Sequence, residues 1–181
     1  MRGSISWRIV CVLSVAMAIL GLSAGTARAT DLTWDIVPGI VGPGDSGITG
    51  GSGIWDDANG NWTTDGGANN VAWDNTLNAN DTAVFRGTAG TVTLGTGVTA
   101  GGLIFNTNNY ILSGAGTLTL SGATPTIATG NGITAAIGSN TATVIDGTVG
   151  LTKRGVGTLS LNGSAVNTFT GGLNAMAARC R

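Results

Sequence analysis

Short runs in which threonine or serine alternates with an aliphatic residue constrain the fold of this chain more than any other feature. Three such runs are Thr91–Leu94, Thr117–Leu120 and Thr158–Leu161, and glycines bracket each of them. A period of two places alternate side chains on opposite faces of a β-strand, while glycine supplies the positive φ that tight turns need. The pattern predicts strands buried on one face, with these residues pointing inward: Val92, Leu94, Leu118, Leu120, Leu159 and Leu161.

Further short apolar segments lie between and before these runs, and each is also typical of a strand. They are Ala83–Phe85, Leu103–Phe105, Ile111–Leu112, Ile133–Ile137 and Val144–Ile145. Before residue 173, no stretch outside the N-terminal segment has apolar residues at helical spacing, and each glycine inside a helix costs about 1 kcal/mol. We therefore expect an all-β chain that is nearly free of helix.

The spacing of the glycine-threonine units favours a solenoid. The units begin at Gly90, Gly116 and Gly157, so they are separated by 26 and then 41 residues. With coils of ~20 residues, these separations correspond to one coil and then about two coils. We predict a parallel β-helix with an N-terminal cap, and a β-sandwich is the alternative.

The first 29 residues have the features of a secretory signal peptide. An arginine-containing start precedes an apolar stretch over residues 9–22, which is shorter than the roughly 20 residues of a membrane-spanning helix. Small residues then supply a cleavage site, and we expect cleavage before Thr30, with Ala27 and Ala29 at the positions that require small side chains. The chain is accordingly expected to be exported.

The charged residues of the chain restrict which partners it can bind and which reactions it can catalyse. Without the signal peptide the chain keeps five cations against nine aspartates, and it contains no histidine. Such a chain lacks the basic surface that binds nucleic acid or an anionic membrane. Cys180 remains without an intrachain disulfide partner once Cys11 is removed. We expect no nucleic-acid partner, and stability that comes from an apolar core.

Composition divides the remaining chain into three parts. Residues 30–86 contain four tryptophans and most of the aspartates, and we interpret them as a cap over the first coil, because terminal repeats of solenoids are atypical. Residues 87–173 hold the glycine- and threonine-rich strands, and residues 174–181 form an atypical tail.

A longer pattern extends from residue 150 to residue 172, where the sequence reads G-L-T-K-R-G-V-G-T-L-S-L-N-G and, after three residues, N-T-F-T-G-G. It resembles the autotransporter-associated β-strand repeat, or passenger-associated transport repeat, with the pattern G-x-L-T-K-x-G-x-G-T-L-x-L-x-G-x-N-T-Y-T-G-G. The chain departs from this pattern in three places: Leu151 follows Gly150 directly, residues 164–166 are an insertion, and Phe169 stands where the pattern has tyrosine. The matching residues are Gly150, Leu151, Thr152, Lys153, Gly155, Gly157, Thr158, Leu159, Leu161, Gly163, Asn167, Thr168, Phe169, Thr170, Gly171 and Gly172.

This resemblance implies a passenger-type β-helix that is secreted or displayed on the surface of a Gram-negative-type bacterium. The pattern of the family continues into further coils and an outer-membrane barrel, so the chain is expected to be a truncated N-terminal fragment. Membrane association would come only from an uncleaved signal peptide or from that barrel. The candidate partners are surface glycans and other copies of the repeat.

Three motifs that resemble catalytic, nucleotide or metal sites are better explained as turns. Gly44–Gly47 copies the sequence around a serine-protease nucleophile, but no histidine is present to activate Ser46. The glycine pattern over residues 42–47 lacks the strand and helix of a dinucleotide site. Asp57–Asn61 opens like a calcium loop, yet Trp62 stands where an EF-hand needs glycine, and solvated Asx turns are the alternative.

The sequence therefore predicts a structural or adhesive module and not an enzyme, with no catalytic, cofactor-binding or metal-binding residue. Two alternatives stay open at this point. One is a carbohydrate-binding module that uses exposed tryptophans, and the other is a polysaccharide-degrading β-helix enzyme that relies on aspartates.

Overall fold

The computed structural model of the chain describes residues 29–40 and 47–176, and these residues form strands and turns without any helix. The expectation of an all-β chain is confirmed for this part. It contains no helix long and apolar enough to cross a membrane. Ala27, the motif residues 42–46 and most of the atypical tail lie outside the described residues, so their assignments stay predictions.

Fifteen strands follow one another along the residues that the structure describes. They are β1 (Asp31–Trp34), β2 (Gly53–Trp55), β3 (Trp62–Thr63), β4 (Thr82–Phe85), β5 (Thr91–Leu94), β6 (Val98–Ala100), β7 (Gly102–Phe105), β8 (Tyr110–Gly114), β9 (Thr117–Leu120), β10 (Thr126–Thr129), β11 (Thr134–Ile137), β12 (Val144–Asp146), β13 (Leu151–Arg154), β14 (Thr158–Leu161) and β15 (Leu173–Met176).

The strands assemble into three sheets. The seven-stranded sheet has the order β15-β13-β10-β7-β4-β1-β3, the five-stranded sheet β14-β11-β8-β5-β2, and the three-stranded sheet β12-β9-β6. Every pairing is parallel except that of β1 with β3. Each complete coil therefore gives one strand to each sheet, and the predicted parallel β-solenoid is confirmed.

The register shows how much chain one coil consumes. Thr82 pairs with Gly102, Gly102 with Thr126, and Thr126 with Thr152, so successive coils take 20, 24 and 26 residues. Between β1 and β4 the spacing is larger, because Asp31 pairs with Thr82. The 31–82 interval holds all four tryptophans predicted to form the cap. Strand β4 ends within the predicted cap range yet pairs as a regular coil strand, and the cap role stays a prediction.

The glycine-threonine units do not all lie on one side of the solenoid, so the prediction that the first two are one coil apart is wrong. The units that begin at Gly90 and Gly157 form β5 and β14 of the five-stranded sheet, but the unit at Gly116 forms β9 of the three-stranded sheet. The 26-residue separation is therefore not one coil. The physical reason is that all three sheets bury one face, so the same alternating motif fits any side of the solenoid.

The core consists of inward-pointing rows that run from coil to coil. Phe85 and Phe105 are register partners, and their rings stack with centroids 5.0 Å apart. Of the residues predicted to point inward, Val92, Leu94, Leu118 and Leu120 are buried, while Leu159 and Leu161 are half-buried against the same core. The predicted strand faces are confirmed, and burial decreases toward the last described coil.

Strand β5 offers a direct test of this alternation. We predict that Leu94→Asp abolishes cooperative unfolding, because an unpaired carboxylate in the core costs several kcal/mol. The neighbouring Thr93 is exposed, and Thr93→Asp is expected to change stability by no more than about 0.5 kcal/mol. Thermal unfolding followed by circular dichroism measures both. Equal losses for the two variants would contradict the assigned strand faces.

Candidate functional site

The four predicted cap tryptophans form one buried aromatic cluster. Ring centroids lie 4.7 Å apart for Trp55 and Trp62, 4.8 Å for Trp62 and Trp73, and 5.2 Å for Trp34 and Trp62. All four side chains are fully buried. Aromatic pairs at these separations add to the stabilisation that burial itself provides. Trp62 therefore contacts each of the other three rings or lies next to it in one continuous cluster.

Burial removes the platform that the carbohydrate-binding alternative required. Stacking on a sugar ring needs an exposed aromatic face, and each of these indoles is enclosed. Trp34 and Trp73 donate their indole N–H to the carbonyls of Gly51 and Thr99, both at 2.9 Å. The Trp55 and Trp62 Nε1 atoms are buried without a hydrogen-bond partner. The four tryptophans are therefore not the exposed rings that this alternative assumed.

A tryptophan-aspartate dipeptide recurs three times and explains how the cluster is built. In Trp55-Asp56 the indole enters the core, and the carboxylate accepts hydrogen bonds from the backbone N–H groups of Ala58 and Asn59 at 3.0 and 2.8 Å. In Trp73-Asp74 the carboxylate likewise accepts from Thr76 and Leu77. Trp34-Asp35 is the third copy. The dipeptide is a sequence signal for a buried ring followed by an Asx turn.

Three aspartates that accept hydrogen bonds within turns have lowered pKa values. Hydrogen bonds from Asn69 and Thr63 lower the pKa of Asp65 to about 2, and backbone donors lower the pKa of Asp74. Desolvation acts to raise the pKa of Asp56, but hydrogen bonds from Asn59 and Ala58 outweigh it and lower that pKa. Asp56 forms an Asx turn directly before the Asp57–Asn61 segment that resembles a calcium loop. The described residues contain no group of three or more acidic, cysteine or histidine side chains placed to hold a metal.

A buried polar network links the segment before β2 to the next coil. The Oδ1 atom of Asp35 accepts hydrogen bonds from the Thr49 backbone N–H at 3.0 Å and hydroxyl at 2.6 Å. The Tyr110 hydroxyl lies within hydrogen-bond distance of the carbonyls of Arg86 and Thr88, and it accepts from Gly51 N–H at 3.3 Å. Burial raises the pKa of Tyr110 to about 12, so this hydroxyl keeps its proton. No sequence pattern indicated this network.

The repeat residues lie around a single coil. Leu151–Arg154 form β13 and Thr158–Leu161 form β14, and Leu151 pairs with Leu173 one coil later. Gly155 lies between the two strands with φ of +76°, and a Cβ atom there would overlap the carbonyl oxygen of Thr129. This turn therefore requires glycine.

The asparagine-threonine part of the repeat covers the third side of that coil. The Asn167 side chain accepts a hydrogen bond from Ile145 N–H at 2.8 Å, and Thr168 N–H donates to the Ile145 carbonyl at 2.9 Å. Thr170 N–H donates to the Gly147 carbonyl at 2.8 Å, and Phe169 packs against the core. The segment thus follows β12 in the stack.

Lys153 occupies an inward register position, because it pairs with the buried Ile127. Its ammonium group turns back to the chain and donates to the carbonyls of Arg154 and Gly155 at 2.9 and 2.8 Å. Burial lowers the pKa of Lys153. The repeat lysine therefore stabilises the turn between β13 and β14, and we assign it no reaction.

The outer face of the seven-stranded sheet carries two adjacent depressions. One has a volume of about 260 Å³ and the other about 440 Å³, and Ile104 lines both, so we treat them together as the outer trough. Gly102 has no side chain between its register partners Thr82 and Thr126, which deepens the floor. Asp31, Arg86 and Arg154 are the charged residues that line it.

The cluster yields a prediction on stability. We expect Trp62→Ala to destabilise the fold by about 3–5 kcal/mol, because the surrounding rings cannot fill the space of an indole. Leu77 is 77% exposed, and Leu77→Ala is the control, with a change within about 0.5 kcal/mol. Chemical denaturation followed by tryptophan fluorescence measures both. Unchanged stability of Trp62→Ala would show that the cluster is not part of the core.

Comparison with known proteins gives one informative match. The chain is 46% identical over 173 residues to the adhesin BmaC autotransporter of Brucella suis biovar 1 (strain 1330), and the match covers 94% of the chain. It covers 5% of the relative, so the chain spans about one-twentieth of that protein's length. No protein-family model and no solved structure matches the chain. The relative is itself an autotransporter, which agrees with the resemblance to autotransporter-associated β-strand repeat proteins, and the chain is similar to a short part of it.

Proposed function

We propose that the chain is an exported, adhesive module of the autotransporter-passenger type, displayed at the surface of a Gram-negative bacterium and without catalytic activity. The observation that carries the proposal is the similarity to an autotransporter adhesin over nearly the whole chain. The features of a signal peptide in residues 1–29 support export.

The fold supports a role in presenting surfaces. Parallel backbone pairing fixes the three sides of the solenoid, and their outward positions carry mainly hydroxyl and small side chains, such as Thr91, Thr93 and Thr126. Because the strands keep their pairing whatever outward residue they carry, the outer faces are free to carry recognition residues.

The chemistry of the aspartates argues against the enzyme alternative. A general acid needs a raised pKa, whereas the pKa values of Asp56, Asp65 and Asp74 are lowered by turn hydrogen bonds. Asp35 is buried and engaged with Thr49. These groups stabilise local structure, which supports a non-enzymatic module.

Surface display tests the proposal. We predict that a non-adherent bacterium displaying the full chain ahead of an unrelated outer-membrane anchor attaches to epithelial monolayers several-fold more than cells displaying the anchor alone. Thr93→Asp keeps the fold and serves as the folded control, while Leu94→Asp is expected to lose attachment. Display levels are matched with an antibody to the anchor. Full display of the parent chain without attachment would refute the adhesive role.

A further inference from the structure

We propose that Asp81 binds the α-ammonium group that signal-peptide cleavage before Thr30 creates, so that processing adds an ion pair to the folded solenoid. This inference rests on the proposed export of the chain and gives a structural role to its new N-terminus. Three features of the molecule support it: the contact between the two residues, the strand pairing that fixes Thr30, and the charge that hydrolysis adds.

Asp81 already binds the backbone nitrogen of Thr30. Its Oδ1 atom accepts a hydrogen bond from the Thr30 N–H at 2.6 Å, although the two residues are 51 positions apart. Its Oδ2 atom accepts from the side-chain amide of Asn78 at 2.9 Å. Asp81 is only 9% exposed. Both donors are neutral, so neither balances the charge of this nearly buried carboxylate.

Strand pairing holds Thr30 in place independently of that hydrogen bond. The Thr30 carbonyl accepts from the Thr82 N–H at 2.9 Å, which extends the parallel pairing of β1 with β4 by one step. Asp81 directly precedes β4, and its own N–H donates to the Asn78 carbonyl at 2.9 Å. Backbone contacts thus fix both partners, and little conformational entropy is lost when the new N-terminus binds the carboxylate.

Hydrolysis before Thr30 changes the chemistry of this contact. Water is added across the bond between Ala29 and Thr30, which leaves a carboxylate on Ala29 and an amino group on Thr30. An α-amino group has an ordinary pKa of about 7.7–8.0, so it is protonated at neutral pH. An ammonium donor thus replaces a neutral N–H donor at the same position, and charge-assisted hydrogen bonds are roughly twice as strong as neutral ones.

Other charged residues lie on the surrounding strands and turns. They are Asp31, Asp35, Asp74, Arg86 and Arg154. Asp31 is exposed, and the carboxylates of Asp35 and Asp74 accept hydrogen bonds from other backbone N–H groups. The arginines are cations and cannot bind an ammonium group. Asp81 is the carboxylate best placed to receive it, because its oxygen already contacts the Thr30 nitrogen.

The α-amino pKa of the processed chain tests the proposal. The full sequence is produced in an exporting host, and intact mass identifies the chain that begins at Thr30. Competitive acetylation across a range of pH, followed by mass spectrometry, gives the pKa of its α-amino group. We expect a value about one unit above the ordinary range, because a nearby carboxylate favours the charged form. Asp81→Asn should return this pKa to the ordinary range, whereas Asp57→Asn, at an exposed carboxylate in another turn, should leave it raised.

A one-residue insertion separates the ion pair from other effects of the Asp81 substitution. Serine inserted between Ala29 and Thr30 moves the α-amino group one residue away and restores a neutral N–H at Thr30. The variant should fold with an ordinary α-amino pKa and with a thermal midpoint below that of the parent at about pH 6. Because the ion pair raises the folded-state pKa, its stabilisation is complete below the unfolded-state pKa of about 7.7–8.0 and is lost as pH rises through the folded-state pKa. The two midpoints should therefore converge by about pH 10.

Three results would overturn the proposal for a chain that begins at Thr30. They are an ordinary α-amino pKa, a pKa that Asp57→Asn or Asp31→Asn lowers as much as Asp81→Asn does, and a midpoint difference that does not change with pH. The proposed export and adhesion stand in those cases, because the chain has been processed and attachment is measured separately. A chain that begins at another residue would also overturn the proposal, and a wholly unprocessed chain would contradict export itself.

Discussion

The fold depends on a constraint that every parallel solenoid shares: the backbone of one coil finds its hydrogen-bond partners only in the coils next to it. In this chain the pairing proceeds without interruption from β1 to β15 along the seven-stranded sheet. The inward apolar rows follow the same order, as Phe85 and Phe105 illustrate. Coil stacking and core formation are therefore one process, and neither can be lost alone.

The tryptophan cluster distinguishes the β1 end of the stack from the later coils. There β3 pairs antiparallel with β1, and Trp62 contacts both Trp34 and Trp55. Large rings provide apolar area in a region where few strands are available to supply it. Asp56 and Asp74, which follow two of these rings, close turns, and Asp35, which follows a third, accepts a hydrogen bond from Thr49. Core and turn signals thus alternate along the same short stretch of sequence.

Local patterns predicted the strands well, while properties that depend on register were not predictable. Val92 and Leu94 alternate with threonines, so the buried face of β5 follows from period two alone. The side of the solenoid on which Thr117–Leu120 lies cannot be predicted in this way, because strands on all three sides show the same alternation. The outer trough arises from the juxtaposition of Thr82, Gly102 and Thr126, which follow one another at intervals of one coil in the sequence. Only the register brings them together.

The central claim is that corresponding strands stack coil upon coil, and spin-label distances test it most directly. Thr91, Ile111, Ala136 and Ser160 occupy one outward row of the five-stranded sheet. With Cys11 and Cys180 replaced by serine, labels at Thr91 and Ser160 should be separated by three strand spacings, ~14 Å between backbones. Moving the first label to Ile111 and then to Ala136 should shorten the distance by one spacing each time. Distances that do not shorten in this stepwise order would contradict the stacked solenoid.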